Sequence, residues 1–316
     1  MLEIAGHQIP PGEETLVRIL AGKLPSGETV RVNIHVFRSV FDGPVVLFLA
    51  GMHGDEVDGI EIIRRLLKQK AFEDLQRGTV LALPLLNFYG FNNFRRDLPD
   101  GRDINRSFPG NMSGSLGSRI ARIVSKHLIP VIDFGVDFHS GGAARFNFPQ
   151  VRISRKDPSA LDLAEAFAPP FIVEKPPIAK SLRKIARDAG KPILIFEGGE
   201  SGRLDGLSVK EGIDGVKRLL KRLGMIREAP SSPYPTIIME KASWVRASVS
   251  GLFIPARMSG DLVKKGEELG EINDLNGLKR TPVFSKFEGY IIGHNNGPVV
   301  NQGDALFHIG RKNGEN

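Results

Sequence analysis

Val45-Val-Leu-Phe-Leu-Ala50, followed at once by Gly51-Met-His53-Gly-Asp-Glu56, is the stretch on which the fold turns. Six apolar residues without alternation suit a strand buried on both faces, the kind found in parallel sheets covered by helices. Ile60, Ile63, Leu66 and Leu67 then recur at helical spacing, while Arg64, Arg65 and Lys68 point elsewhere. The segment therefore reads as strand, tight polar turn, helix. The same alternation continues outward. Thr15 to Leu20 and Thr29 to Phe37 flank Pro25-Ser26-Gly27 and read as an opening hairpin. Thr79 to Leu85 is a further strand, and Ile120, Ile123, Val124, His127 and Leu128 mark a helix with His127 on its core face. Phe134 to Phe138 reads as a strand ending at His139, Ser181 to Ala189 as a helix, and Pro192 to Phe196 as a strand ending at Glu197. Val209, Ile213, Val216, Leu219, Leu220 and Leu223 form the last helical stripe. The expected fold class is α/β, with a mixed, mostly parallel sheet covered by helices on both faces. Such sheets bind ligands beyond the carboxyl ends of their strands.

Near residue 230 the pattern changes. Arg227 to Thr236 is rich in Pro and Ser and reads as a linker, after which helices give way to short strands separated by Gly and Pro. At 316 residues the chain is long enough for about two domains. The expected division is 1–228, carrying the chemistry, and 229–316, a small all-β unit. The second part repeats itself. Val249-Ser-Gly-Leu-Phe-Ile254 with Gly260 to Ile272 matches Phe287-Glu-Gly-Tyr-Ile-Ile292 with Gly297 to Ile309. Each copy is too small to bury its own apolar face, so the two are expected to close on each other. This resembles the barrel-sandwich of biotinyl and lipoyl carrier domains. The connection Asn273 to Arg280 lacks the sequence context of a modified carrier lysine, and Lys279 reads as a solvated surface residue.

Composition narrows the chemistry. The chain has no cysteine, which excludes a disulfide framework, a cysteine nucleophile, a thiolate zinc site and an iron–sulfur cluster. A bound metal must use His, Asp or Glu. The net charge of +7 is a mild bias that fits an anionic small molecule. The basic residues are scattered, so no nucleic-acid partner is expected. The apolar run at Val45 is far short of the roughly 20 residues that span a bilayer, and no membrane partner is expected. The first fourteen residues show no basic-then-apolar leader, which makes the cytoplasm the default location. Association of identical chains stays open.

Four polar clusters sit where the strands end. His53 and Glu56 lie three apart in a Gly-containing turn and can converge on one point. With His139, from Asp137-Phe-His139-Ser-Gly-Gly142, they make the two-His, one-carboxylate set of catalytic zinc hydrolases. A lone His-x-x-Glu is common by chance, and a lone strand-end His is more often merely hydrogen-bonded, as His7, His35, His294 and His308 are read here. The long polar stretch from Asn87 to Gly110 offers Arg95, Arg96, Arg102 and Arg106, whose guanidinium forks suit an oxyanion or a carboxylate. Glu197, between an apolar strand and two glycines, reads as a partly desolvated acid whose pKa rises toward the range useful for proton transfer.

Together these motifs resemble the succinylglutamate desuccinylase/aspartoacylase family, within the zinc carboxypeptidases of the carboxypeptidase A type. They are Gly-Met-His53-Gly-Asp-Glu56, Asp103-Ile-Asn105-Arg106-Ser-Phe-Pro-Gly110, Asp137-Phe-His139-Ser-Gly-Gly and Phe-Glu197-Gly-Gly, spread over roughly residues 40 to 225. The resemblance implies one zinc ion per chain on His53, Glu56 and His139, with Glu197 as general base and acid. It implies that Asn105 and Arg106 hold a substrate carboxylate and that Arg96, with Arg95 as the competing match, polarises the scissile carbonyl. A further family arginine matches either Arg183 or Arg187. The implied activity is removal of an acetyl- or succinyl-type N-acyl group from a small amino acid or related amine. The alternatives are a carboxypeptidase on the same zinc site and a binding or carrier protein built on the C-terminal repeat.

Overall fold

A computed structural model describes residues 2–312. Strands β1 (Leu2–Ile4) and β2 (His7–Ile9) form a small hairpin of their own. β3 (Glu14–Lys23) and β4 (Thr29–Arg38) form the expected hairpin around Pro25-Ser26-Gly27. The apolar run is β5 (Val45–Leu49), followed by α1 (Val57–Lys68), β6 (Thr79–Leu83) and the short α2 (Phe88–Asn92). A 3-10 turn at Ile104–Arg106 leads to α3 (Leu116–Ile123), which runs on into a π-helical turn at Val124–Leu128. Next come β7 (Phe134–Gly141), β8 (Arg145–Ile153), α4 (Pro158–Phe167), β9 (Phe171–Glu174), α5 (Leu182–Asp188), β10 (Ile193–Glu200) and α6 (Gly206–Arg222).

The centre of the sheet is parallel, in the order β6-β5-β7-β10. Successive side chains of β5 explain why its sequence does not alternate. Val46 and Phe48 pack with Ile62, Ile63 and Leu66 of α1 and Val216 of α6. Leu47 and Leu49 face the opposite layer, with Ile120 of α3 and Leu182 of α5. Both faces are therefore dry. The expected parallel pairing holds for these four strands and again at the margin of the sheet, for β8, β9 and the later strand β11 (Ile237–Met239). β4 joins β6 and β8 joins β10 antiparallel, so the sheet as a whole is mixed. Chains that reverse through short connections, as at Leu24–Glu28 and Gly142–Ala144, return in the opposite direction. β8 and β9 fall in a stretch that the apolar pattern did not mark.

Two local readings change. His139 and Glu197 lie inside β7 and β10 rather than beyond their ends, because both strands keep their pairing for several more residues. His127 is half-buried, not core. The π-helical turn adds a residue to its turn and rotates the apolar stripe away from it.

After α6, only strands occur among the described residues: β11 (Ile237–Met239), β12 (Lys241–Arg246), β13 (Gly251–Pro255), β14 (Leu262–Val263), β15 (Glu268–Asn273), β16 (Arg280–Phe284), β17 (Gly289–Asn295), β18 (Val299–Val300) and β19 (Ala305–Arg311). The two copies of the repeat pair reciprocally, β13 with β18 and β14 with β17. Phe253, Val263 and Ile272 share one core with Ile291, Val300 and Phe307. Gly251 and Gly289 hold equivalent places, at φ +157° and +155°. A Cβ at either would fall within 2.4 Å of a carbonyl oxygen on the partner strand, so neither tolerates a side chain. These strands also extend the main sheet, since β17 pairs with β8 and β11 with β9. That continuity brings β12 to the edge of the candidate site.

Candidate metal centre

The turn after β5 is shaped by close backbone packing. A Cβ on Gly54 would lie 1.9 Å from the carbonyl carbon of Gly90 in α2, so only glycine fits. His53 Nδ1 then stands 2.7 Å from Glu56 Oε1, and His139 Nδ1 stands 2.8 Å from Glu56 Oε2. One donor atom from each of the three residues lies within 4.8 Å of the other two, and all three residues are buried. His53 Nδ1 has no partner of hydrogen-bonding geometry although it is shut off from solvent. An orphaned imidazole nitrogen facing a carboxylate and a second imidazole is the donor set that a zinc ion takes.

The far nitrogens of both imidazoles are occupied. His53 Nε2 is 3.2 Å from Asp103 Oδ1, and His139 Nε2 is 3.0 Å from Asp137 Oδ2. Carboxylates in these positions fix the tautomer, so that each ring offers Nδ1 to the centre. Burial works to lower the His53 pKa, but Glu56 and Asp103 outweigh it and raise it. The same contest, with Asp137 and Glu56 on the winning side, leaves His139 well above the ordinary histidine range. Burial would raise the pKa of Glu56, yet the two imidazoles hold it well below the usual carboxylate range. Three carboxylates thus surround a point that calls for positive charge, and a divalent cation meets that demand with both imidazoles neutral.

Of each arginine pair, one member lines the cavity. Arg96 reaches the site, donating from Nη1 to Glu56 at 3.0 Å and from Nη2 to Asp103 at 2.9 Å. Arg95 is exposed and does not line the cavity. Buried Asn87 sets this geometry by donating to the Arg96 carbonyl at 3.0 Å and capping Gly90 N at 2.8 Å. Arg183 lines the cavity and Arg187 does not. Burial, helped by nearby Arg152, pushes the Arg183 pKa down to about 10. Asn105 and Arg106 also line the cavity. Asn105 Oδ1 accepts from Leu182 N at 2.9 Å, which ties the 3-10 turn to α5. Arg106 spends Nη1 on the Asn105 carbonyl and is otherwise exposed.

Glu197 sits beside His139 in the parallel register of β10 and β7. Its Oε1 accepts from Arg152 Nη1 at 2.6 Å and its Oε2 from Asn147 Nδ2 at 2.8 Å. His53, Glu56, Arg96, Asn105, Arg106, His139 and Glu197 line one cavity of about 530 Å³. Asp103, Asp137, Asn147, Arg152, Lys175 and Trp244 were not foreseen in these roles. Asp137 alone carried a local signal, because residues i and i+2 of a strand share a face.

Residues 42–223 match the succinylglutamate desuccinylase/aspartoacylase catalytic domain. The chain belongs to this family. It is 30% identical, over 84% of its own length and 81% of the relative's, to an N-alpha-acetyl-L-2,4-diaminobutyric acid deacetylase of Halomonas elongata. The crystal structure of a succinylglutamate desuccinylase/aspartoacylase from Rhodobacter sphaeroides superposes with a TM-score of 0.84 at 27% identity, covering 95% of both chains. The ectoine utilization protein EutE of Ruegeria pomeroyi, solved with product, shares the fold at a TM-score of 0.81 and 24% identity, over 96% of this chain and 99% of that one. No described helix is long and apolar enough to cross a membrane.

Proposed function

We propose that this chain is a zinc-dependent amidohydrolase that removes an acetyl- or succinyl-type group from a small N-acyl amino acid. The observation that carries the reading is the buried meeting of His53, Glu56 and His139, each imidazole backed by its own carboxylate, at the floor of a cavity that also holds Glu197. The family membership and the deacetylase relative support the same chemistry. His53 Nδ1, Glu56 and His139 Nδ1 would hold one zinc ion, which supplies Lewis acidity toward water and the acyl carbonyl.

The chain's own residues do the rest. Glu197 takes the proton of the attacking water and returns it to the leaving amine. Its two donors, Arg152 and Asn147, each use one lone pair of a different oxygen and aim the carboxylate while leaving lone pairs for that proton. Arg96 commits one proton from each Nη to Glu56 and Asp103, and its remaining N–H groups face the developing oxyanion. Asn105 and Arg106 take the substrate's α-carboxylate and so decide which end approaches the metal. In this reading the catalytic unit is 1–228, and 229–316 is a barrel-sandwich unit that walls the cleft through Trp244.

The test is to measure zinc per chain and then screen acetyl-, succinyl- and formyl-amino acids with and without chelator. Stoichiometric zinc with chelator-sensitive release of the free amine is expected. A chain that binds no zinc, or that trims unacylated peptides from the C-terminus instead, overturns it.

A further inference from the structure

The C-terminal repeat breaks its own symmetry where it meets the catalytic half. Gly251 to Pro255 of the first copy corresponds to Gly289 to Gly293 of the second. In the first copy this stretch is β13, which pairs with β15 without a shift, and Ile254 is 53% exposed. In the second copy it opens β17, Ile292 is fully buried, and glycine stands in place of the proline. The ladder to β19 shifts register here. Ile291 pairs with Ile309 and Gly293 with His308, so Ile292 has no opposite residue. A bulge of this kind re-aims the groups around it. The Ile292 carbonyl accepts from Gln150 Nε2 of β8 at 2.8 Å, and Gly293 lies opposite Asn147 of the same strand.

Those two β8 residues flank Glu197. Gln150 is its register partner across β8 and β10, and Asn147 donates from Nδ2 to Glu197 Oε2 at 2.8 Å. Asn147, Gln150 and Glu197 are all buried. The φ of Gly293 lies outside the left-handed region, so space and not backbone strain calls for glycine there. A Cβ at this position would stand 2.8 Å from Asn147 Oδ1 and 3.2 Å from the Phe146 carbonyl oxygen. The second contact is tight, but the first is closer than carbon and oxygen pack. Oδ1 is the free end of a side chain, so it yields before the paired main chain does. A carboxamide is rigid, and displacing Oδ1 carries Nδ2 away from Glu197 with it.

We propose that Gly293 is a positioning residue for Glu197: by lacking a side chain it leaves the room in which the Asn147 amide sits, and so the C-terminal unit aims the acid that the catalytic half contributes. Gly293 touches no reacting atom. It acts through Asn147, and the bond from Gln150 to the Ile292 carbonyl fixes the same joint between β17 and β8. The C-terminal unit is then part of the device that orients the base, beyond forming a wall of the cleft. The effect on turnover rests on the hydrolase reading; the steric coupling of Gly293 to Asn147 does not.

The full zinc-loaded chain is compared with Gly293→Ala, Asn147→Ala and the double variant, by crystal structure and by steady-state release of amine from N-acyl amino acids. In Gly293→Ala the Asn147–Glu197 hydrogen bond is expected to open while zinc stays stoichiometric. Its kcat should fall by about 10–100-fold, the loss of one hydrogen bond to a charged group, with KM within about twofold of the parent. A generally loosened fold would raise KM and lower the zinc content as well. Asn147→Ala should lose about as much, and adding Gly293→Ala to it should change kcat by less than about twofold, because both act through one contact. A full further loss in the double variant, or an intact Asn147–Glu197 bond in Gly293→Ala, overturns the proposal. Should Gly293→Ala alone not fold, the double variant decides: recovered folding upholds the clash with this amide, and continued failure overturns it. Turnover separates the two readings. If the amide is displaced in Gly293→Ala but the parent cleaves no N-acyl amino acid, the coupling stands and the hydrolase reading falls. If the parent cleaves them and Gly293→Ala matches it in kcat, the positioning role falls and the hydrolase reading stands.

Discussion

Asp137→Asn isolates one carboxylate that touches the candidate metal site only through a histidine. Asp137 is fully buried, and its Oδ2 lies 3.0 Å from His139 Nε2. The amide is isosteric, and its oxygen still accepts the imidazole N–H, so packing is kept and only the charge is lost. A hydrogen bond to a charged partner contributes about 1.5–3 kcal/mol, and a neutral one about 0.5–1.5 kcal/mol. The difference, about 1–1.5 kcal/mol, corresponds to about tenfold in affinity. That sits at the low end of the 10–100-fold range typical of residues that support a metal ligand. Asp137 Oδ1 has no hydrogen-bond partner among the described residues, so the new amide nitrogen has none to gain there, and the loss should reach the upper part of this estimate. The assay is competition for zinc with a chromophoric chelator at pH 7.5, with Glu197→Gln as the control that leaves the donor set intact. Affinity within twofold of the parent would refute the claim that this carboxylate tunes His139 toward a metal.

Glu197→Gln should retain one zinc per chain and lose about 10²–10⁴-fold in kcat/KM, read by amine release. Gly54→Ala should be destabilised by about 1–3 kcal/mol in urea unfolding and bind zinc more weakly, because its Cβ has no room against Gly90. Removing zinc should lower the unfolding temperature, since a ligand present at 1,000 times its Kd stabilises by about 4 kcal/mol. The metal-free protein should also show a distinctive pH trend. His53 and His139 have raised pKa values when folded, so their contribution is fully present below the unfolded value of 6.5 and is lost as pH rises through the folded values. Its unfolding temperature should therefore fall on going from pH 6 into the alkaline range. The zinc-loaded protein should do the opposite at the acid end, where protons compete for the same nitrogens. A metal-free protein that gains stability above pH 6.5 contradicts the assigned ion pairs.

What was legible in advance concerns residues on one element or one turn. The buried character of β5 follows from its unbroken apolar run, and the nearness of His53 to Glu56 follows from their spacing in a glycine turn. The interlocking of the two C-terminal copies followed from their small size, since neither can bury its apolar face alone. Composition removed thiolate chemistry outright. The parallel centre of the sheet was legible for the same reason, as strand and helix alternate there.

Convergence of distant segments was not legible. Nothing local separates Arg95 from Arg96 or Arg183 from Arg187. The choice is made by Asn87 holding the Arg96 carbonyl, and by the pairing of β8 and β9 that draws Arg183 onto the carbonyls of Arg152 and Lys175. Asp103 becomes a partner of His53 across fifty residues because its loop folds back under Arg96. Trp244 arrives from the far end of the chain because β17 adds to the edge of β8. Periodicity along a chain tells which face a residue takes within its own element. Which faces meet depends on hydrogen bonds and packing between elements remote in sequence, and those exist only once the whole sheet has assembled.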